Sequence, residues 1–162
     1  YFISKFHAEQ LIKNSGLQYT IFRPSYILGV DDYLTKNISK QLLKKQVLIP
    51  GSGKFYLQPI FIDDVCSCIN TALHSSKFLN KIIDLVGPKK ILFQNLIKNS
   101  IPSEIKIKKI NLELAYQKAL SDINFEYGVE DLNILVGNYI GNHKKLQNLC
   151  NFKFKNIESL NT

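Results

Sequence analysis

Apolar and polar positions alternate along the chain in two periods, one helical and one extended. Residues 1–15 read as an amphipathic helix with Ala8, Leu11 and Ile12 on one stripe. Ser15-Gly16-Leu17 ends it, with glycine in the left-handed position and Leu17 folding back. Tyr19-Thr20-Ile21-Phe22 is β-branched and aromatic, and predicts a fully buried strand closed by Pro24. After a loop from Gly29 to Asp32, residues 33–46 predict a helix capped by Asp31 or Asp32, with Lys36, Lys40 and Lys44 on its solvated face.

Val47-Leu48-Ile49 reads as a short strand and Pro50-Gly51-Ser52-Gly53 as a turn. Residues 56–62 predict another strand, followed by a helix that Asp63 caps and that runs to about His74. Lys81 to Val86 is a second buried strand, closed by Gly87-Pro88, and residues 91–100 look helical. Ile105 and Ile107 alternate with Lys106 and Lys108, as in a half-exposed strand. Weaker helical patterns cover 111–122 and 130–149, and the polar last dozen residues are expected to fray. Helices alternating with apolar strands predict an α/β fold with a parallel sheet covered on both faces, and a smaller mixed lobe after it.

Composition narrows the function. The chain has 162 residues, no methionine, and opens on Tyr1 inside a helical pattern. It therefore reads as the C-terminal part of a larger protein. The net charge is +8, yet Arg23 is the only arginine. Base and phosphate recognition favours the two-pronged guanidinium, so lysines dispersed over many surfaces argue against nucleic-acid binding. No run approaches the ~20 apolar residues of a membrane span. Cys66, Cys68 and Cys150 fit neither a disulfide framework nor the usual zinc spacing, and read as reduced thiols of a cytoplasmic protein. His7, His74 and His143 have no metal-ligand spacing, so no metal site is expected. Gly51-Ser52-Gly53-Lys54 lacks the spacing of a phosphate loop. Asp63-Asp64 is explained by helix capping and a local backbone anchor.

Tyr1 and Lys5 carry the candidate chemistry. Four residues apart, they share a helix face about 6 Å apart along the axis. An ammonium near a phenol favours the phenolate, which suits a general acid/base. The spacing alone is weak. It is followed in order by Ala8-Glu9-Gln10-Leu11-Ile12-Lys13-Asn14-Ser15-Gly16-Leu17, Tyr19 to Ser25, Gly29-Val30-Asp31-Asp32, Pro50 to Lys54, Gln58 to Val65, and Leu85-Val86-Gly87-Pro88.

This series resembles the short-chain dehydrogenase/reductase superfamily over about residues 1–100. It is most similar to the atypical, epimerase/dehydratase-related branch that includes the NAD(P)-binding 39 kDa-type subunit of respiratory complex I and NmrA-like proteins. The resemblance implies that residues 1–100 hold the C-terminal part of a Rossmann-type doubly wound sheet with part of the substrate lobe. Residues 101–162 would be the C-terminal lobe and tail. It implies NAD or NADP as cofactor, Tyr1 as acid/base, and Lys5 on the nicotinamide ribose. Pro24 and Ser25 would contact the cofactor, with Tyr26 and Ile27 on the substrate side. Arg23 is expected in a structural salt bridge. Sugar-nucleotide epimerases of this superfamily tend to have Asn at Tyr26, Tyr-Gly-Pro at Leu28-Gly29-Val30, and an arginine near Leu57. Their absence favours a small substrate that is not a sugar nucleotide. Two functions stay open: an oxidoreductase or isomerase, and a non-catalytic cofactor-bound subunit or assembly factor with a protein partner.

Overall fold

The computed structural model describes residues 1–157. Its elements alternate as the pattern predicts, and the backbone divides into two compact units whose segments interleave along the sequence.

The first unit comprises Tyr1–Leu28, Gln58–Lys89 and Ile140–Asn156. It contains α1 (Phe2–Asn14), β1 (Thr20–Pro24) and β2 (Ile27–Leu28). The second unit comprises Gly29–Leu57 and Lys90–Tyr139. It contributes α2 (Tyr33–Leu42), β3 (Gln46–Pro50) and β4 (Tyr56–Leu57). The chain then returns to the first unit for β5 (Ile60–Phe61), α3 (Ile62–Leu73), a 3₁₀ turn (Ser76–Phe78) and β6 (Lys81–Leu85). β7 (Ile91–Leu92), α4 (Phe93–Ser100), β8 (Lys106–Ile110), α5 (Leu112–Ser121) and α6 (Val129–Leu135) complete the second unit. α7 (His143–Leu149) belongs to the first.

Parallel pairing defines the first unit. β1 lies beside β6 with Thr20 opposite Lys81 and Pro24 opposite Leu85, and β2 pairs in parallel with β5. Parallel neighbours need crossover connections, and helices supply them. α3 turns Val65 and Cys68 inward, and they pack with Phe78, Ile83, Leu85, Leu146, Cys150 and Phe154 in one buried cluster. Truncating such a fully buried residue as Ile83 to alanine costs about 2–5 kcal/mol.

The second unit also has a parallel pair, β3 beside β8, and an antiparallel pair, β4 beside β7. Its interior is partly polar. Gln41, on α2, accepts from Leu48 N at 2.7 Å and donates to Asn37 Oδ1 at 2.5 Å and to the Tyr127 hydroxyl at 3.3 Å. Tyr127 donates in turn to the Leu48 carbonyl at 2.5 Å. The buried groups thus satisfy one another, as a low-dielectric interior demands.

Several local expectations change. α1 buries none of its residues, so its apolar stripe faces outward, and Leu17 is exposed after Gly16 takes φ +76°. β1 is half-buried to exposed rather than fully buried. The strand expected over 56–62 is two short strands, because Gln58-Pro59 interrupts it and proline has no N–H for a ladder. Phe61, not Asp63, occupies the cap of α3, and both aspartates sit in its first turn. Asp64 anchors the backbone of distant Lys155 at 2.9 Å, while Asp63 pairs with the Lys155 ammonium at 2.6 Å. Of the two candidate caps for α2, Asp32 takes the role and accepts from Thr35 N at 3.0 Å. The helix expected over 130–149 is α6 and α7, separated by a segment containing Gly137 and Gly141. Residues 158–162 of the expected tail lie outside the described residues.

Candidate functional site

The candidate residues lie in two places of the first unit: Tyr1 and Lys5 at the start of α1, and Pro24 to Ile27 at and after the carboxyl end of β1, beside β6. Tyr1 caps α1, and its carbonyl accepts from Lys5 N at 3.0 Å, which fixes the first turn. Lys5 Nζ stands 5.4 Å from the Tyr1 ring centroid, the distance of a cation–π contact. The four-residue spacing therefore does bring phenol and ammonium together. Tyr1 is 63% exposed and Lys5 is exposed too, so both can be reached from outside the unit.

Arg23 clasps α1 to β1. Its Nε donates to Glu9 Oε1 at 2.8 Å and its Nη2 to Glu9 Oε2 at 2.5 Å, a two-pronged bond. The guanidinium hydrogen bonds hold the Glu9 carboxyl below the usual carboxylate range, and the carboxylate raises Arg23 in return. Arg23 is thus in the salt bridge its sequence position suggests, and the partner is Glu9.

β1 ends in Pro24, exposed, and Ser25, half-buried. Ser25 N donates to the Leu85 carbonyl at 3.2 Å, and Ser25 Oγ accepts from Gln58 N at 3.2 Å. Tyr26 offers its carbonyl to Ile60 N at 2.9 Å, and Ile27 stands opposite Ile60 in the β2–β5 pair. Pro24, Ser25, Tyr26 and Ile27 are thereby held as one continuous segment at the carboxyl side of parallel strands. In open α/β sheets, ligands bind at that side.

Gln58 is the residue that sequence reading overlooks. It is buried, and its Nε2 donates to the Gly87 carbonyl at 2.8 Å while its Oε1 accepts from Gly141 N at 3.0 Å. Its carbonyl also accepts from Gly87 N at 3.1 Å. Both glycines are needed for this closeness. A Cβ on Gly87 would lie 1.8 Å from the Pro59 carbonyl oxygen, and one on Gly141 would lie 2.5 Å from Asp84 Cβ. Asp84 accepts from Asn142 N at 3.1 Å, and His143 Nδ1 meets the Val86 carbonyl at 2.8 Å. The sequence signal of Gln58 is its place at the head of the Gln58–Val65 motif segment, which names no role for the amide.

Elsewhere the thiols are free. Cys66 is exposed, while Cys68 and Cys150 are buried with their sulfurs 3.6 Å apart, and burial pushes both buried thiols up. Among the described residues, no three His, Cys, Asp or Glu side chains stand where they could hold a metal ion, and no helix is long and apolar enough to cross a membrane.

The residues present fit one end of a dinucleotide. A phenol, an ammonium and a hydroxyl, all at least partly accessible, are the groups that hydrogen-bond a ribose and an adjoining ring. The chain contains no Gly-x-Gly-x-x-Gly run of the kind that cradles a pyrophosphate.

The fold is that of Rossmann-like α/β proteins. The structure superposes on a nucleoside-diphosphate-sugar epimerase from Staphylococcus aureus with a TM-score of 0.71 and 16% identity, covering 96% of this chain and 56% of that one. It is similar also to RMD from Pseudomonas aeruginosa, solved in complex with NADPH, with a TM-score of 0.65 and 14% identity over 98% of this chain and 52% of that one. In sequence it is 26% identical over 117 residues to prestalk A differentiation protein A of Dictyostelium discoideum, which covers 70% of this chain and 38% of that protein. No family model matches the chain. The chain thus spans about half the length of these solved structures, and less of the curated relative.

Proposed function

We propose that this chain is the carboxyl-side portion of an NAD(P)-dependent oxidoreductase or isomerase of the short-chain dehydrogenase/reductase type, acting on a small substrate that is not a sugar nucleotide. The observation that carries the reading is the accessible Tyr1–Lys5 pair on a helix clasped by Glu9–Arg23 to the strand that ends in Pro24-Ser25. The fold likeness to an NADPH-bound protein supports the cofactor class. The nicotinamide, when bound, gives or takes a hydride. Tyr1 holds the proton that a substrate oxygen gains or loses, and Lys5 holds the ribose and favours the phenolate. Pro24 and Ser25 line the cofactor, and Tyr26 and Ile27 face the substrate. Residues 1–100 then carry the Rossmann portion with part of the substrate lobe, and 101–162 the C-terminal lobe and tail.

The second reading is a non-catalytic, cofactor-bound protein that acts through a protein partner. The curated relative is named for a role in differentiation and not for a reaction, which favours keeping it. One experiment tests both readings. NADPH and NADH fluorescence are each titrated on the full-length protein, and no binding of either at high micromolar concentration refutes both. Tyr1→Phe then separates them. In an enzyme it abolishes oxidation of the bound nucleotide across a panel of small carbonyl compounds while leaving Tm unchanged, because Tyr1 is 63% exposed. If wild type and Tyr1→Phe bind alike and neither turns over, the second reading holds.

A further inference from the structure

We infer that Gln58 is a positioning residue that, by holding the Gly87 main chain, presets the Ser25 hydroxyl for the dinucleotide. The inference rests on the reading that Ser25 contacts the cofactor.

The case begins with what a buried amide needs. A glutamine side chain offers two donors and one carbonyl acceptor, and burying them without partners is costly. Gln58 is 2% exposed and uses both ends of its amide on main-chain groups: Nε2 to the Gly87 carbonyl, Oε1 from Gly141 N. Its own main chain does two further things. The carbonyl takes the Gly87 N–H, and the N–H goes to Ser25 Oγ. Gly87 thus has both main-chain polar groups held by one residue, and Ser25 has its hydroxyl held by the same residue. Side-chain bonds at 2.8 and 3.0 Å fix the backbone whose N–H aims Ser25 Oγ.

Position in the fold gives this arrangement its meaning. Ser25 follows β1 and Gly87 follows β6, and these two strands are parallel neighbours. Gln58 therefore ties together the carboxyl ends of the adjacent strands, where an α/β sheet binds its ligand. A buried apolar residue could fill the same volume. It could not hold the Gly87 carbonyl and the Gly141 N–H together, so the segment ends would loosen before a ligand arrives. The ligand would then have to order them, at a cost to its affinity.

Gln58→Leu and Gln58→Glu test this on the full-length protein, with NADP⁺ as the calorimetric ligand. Melting curves come first, and every titration is run at a temperature where wild type and variants are all fully folded. Leucine should weaken NADP⁺ binding by about tenfold or more, as expected when buried main-chain partners lose their bonds. Glutamate is the sharper probe. Ionised, its carboxylate only accepts, so one oxygen faces the Gly87 carbonyl with no proton between them. Protonated, it has one donor and one acceptor, enough to replace the two bonds the amide makes here. Gln58→Glu should therefore bind weakly at about pH 8 and recover toward wild type at about pH 6, since burial favours the protonated form. Asp84 and His143 flank the same segment and are present in both proteins, so each variant is compared with wild type at the same pH.

Binding within about twofold of wild type for the glutamate variant at both pH values, or equal weakening at both, overturns the inference. If Gln58→Leu does not fold, the glutamate pair of measurements decides alone. Wild type that binds neither NADP⁺ nor NAD⁺ overturns the parent reading and this inference with it, and if only NAD⁺ binds it replaces NADP⁺ in every titration. Wild type that binds, beside a glutamate variant indifferent to pH, overturns the inference only.

Discussion

The two units solve the problem of buried polar groups in opposite ways. In the second unit Gln41 bonds to Asn37 and Tyr127, Gln41 and Tyr127 hold both main-chain groups of Leu48, and Asn37 donates to the Glu126 carbonyl, all within the lobe. In the first unit Gln58 is as buried, yet its partners are the main chains of Gly87 after β6 and Gly141 before α7, and the Ser25 hydroxyl after β1. One network stabilises a lobe interior. The other holds the carboxyl ends of two parallel strands, β1 and β6. Equal burial therefore does not mean equal role; the identity of the partners decides it.

The comparison breaks most forcefully at Gly87. An added Cβ there meets the Pro59 carbonyl oxygen at 1.8 Å, which no rotamer change can relieve because the obstacle is backbone. Gly87→Ala should destabilise the first unit by about 2–4 kcal/mol, read as a lowered denaturant midpoint. A midpoint unchanged from wild type would show that the approach of Gly87 to the Pro59 carbonyl is not tight. The second unit's network is expected to respond less. Tyr127→Phe removes the hydroxyl that donates to the Leu48 carbonyl and should cost about 1–2 kcal/mol. It also has a pH signature. Burial pushes the Tyr127 phenol up to about 12. Its contribution to stability is fully present below the unfolded value near 10 and is lost as pH rises through about 12. Alkaline unfolding of Tyr127→Phe should lack that component.

These residues also show what the sequence makes legible. The order of elements follows from period and punctuation, and Tyr1, Lys5 and the Pro24–Ile27 segment stand out as candidates because a linked series of motifs carries them. Gln58 opens one segment of the same series, but nothing in a Gln-Pro pair reveals that its amide will meet glycines 29 and 83 positions away. Such a role depends on long-range topology. The cap of α3 was misplaced for a related reason: aspartates in a first turn look alike whether they cap locally or, like Asp64, accept from a distant backbone N–H. The outward face of α1 was equally hidden, because an apolar stripe does not say what covers it.

The mildest test bears on the clasp that ties the candidate helix to its strand. Arg23 is about half exposed and Glu9 mostly covered, so solvent screens the pair and its worth is small. Glu9→Gln should cost about 0.5–1 kcal/mol at neutral pH. The sign with pH follows from the lowered carboxyl: the stabilisation is present above the unfolded glutamate value near 4.3 and is lost as pH falls through the folded one. Wild type and Glu9→Gln should therefore converge in Tm under acid and diverge above it. Hydrogen exchange sharpens the reading, because α1 buries no side chain. Losing its clasp should speed exchange in α1 and leave the second unit's network untouched. Equal acceleration in both units would mean that the clasp supports the whole chain and not the candidate helix alone.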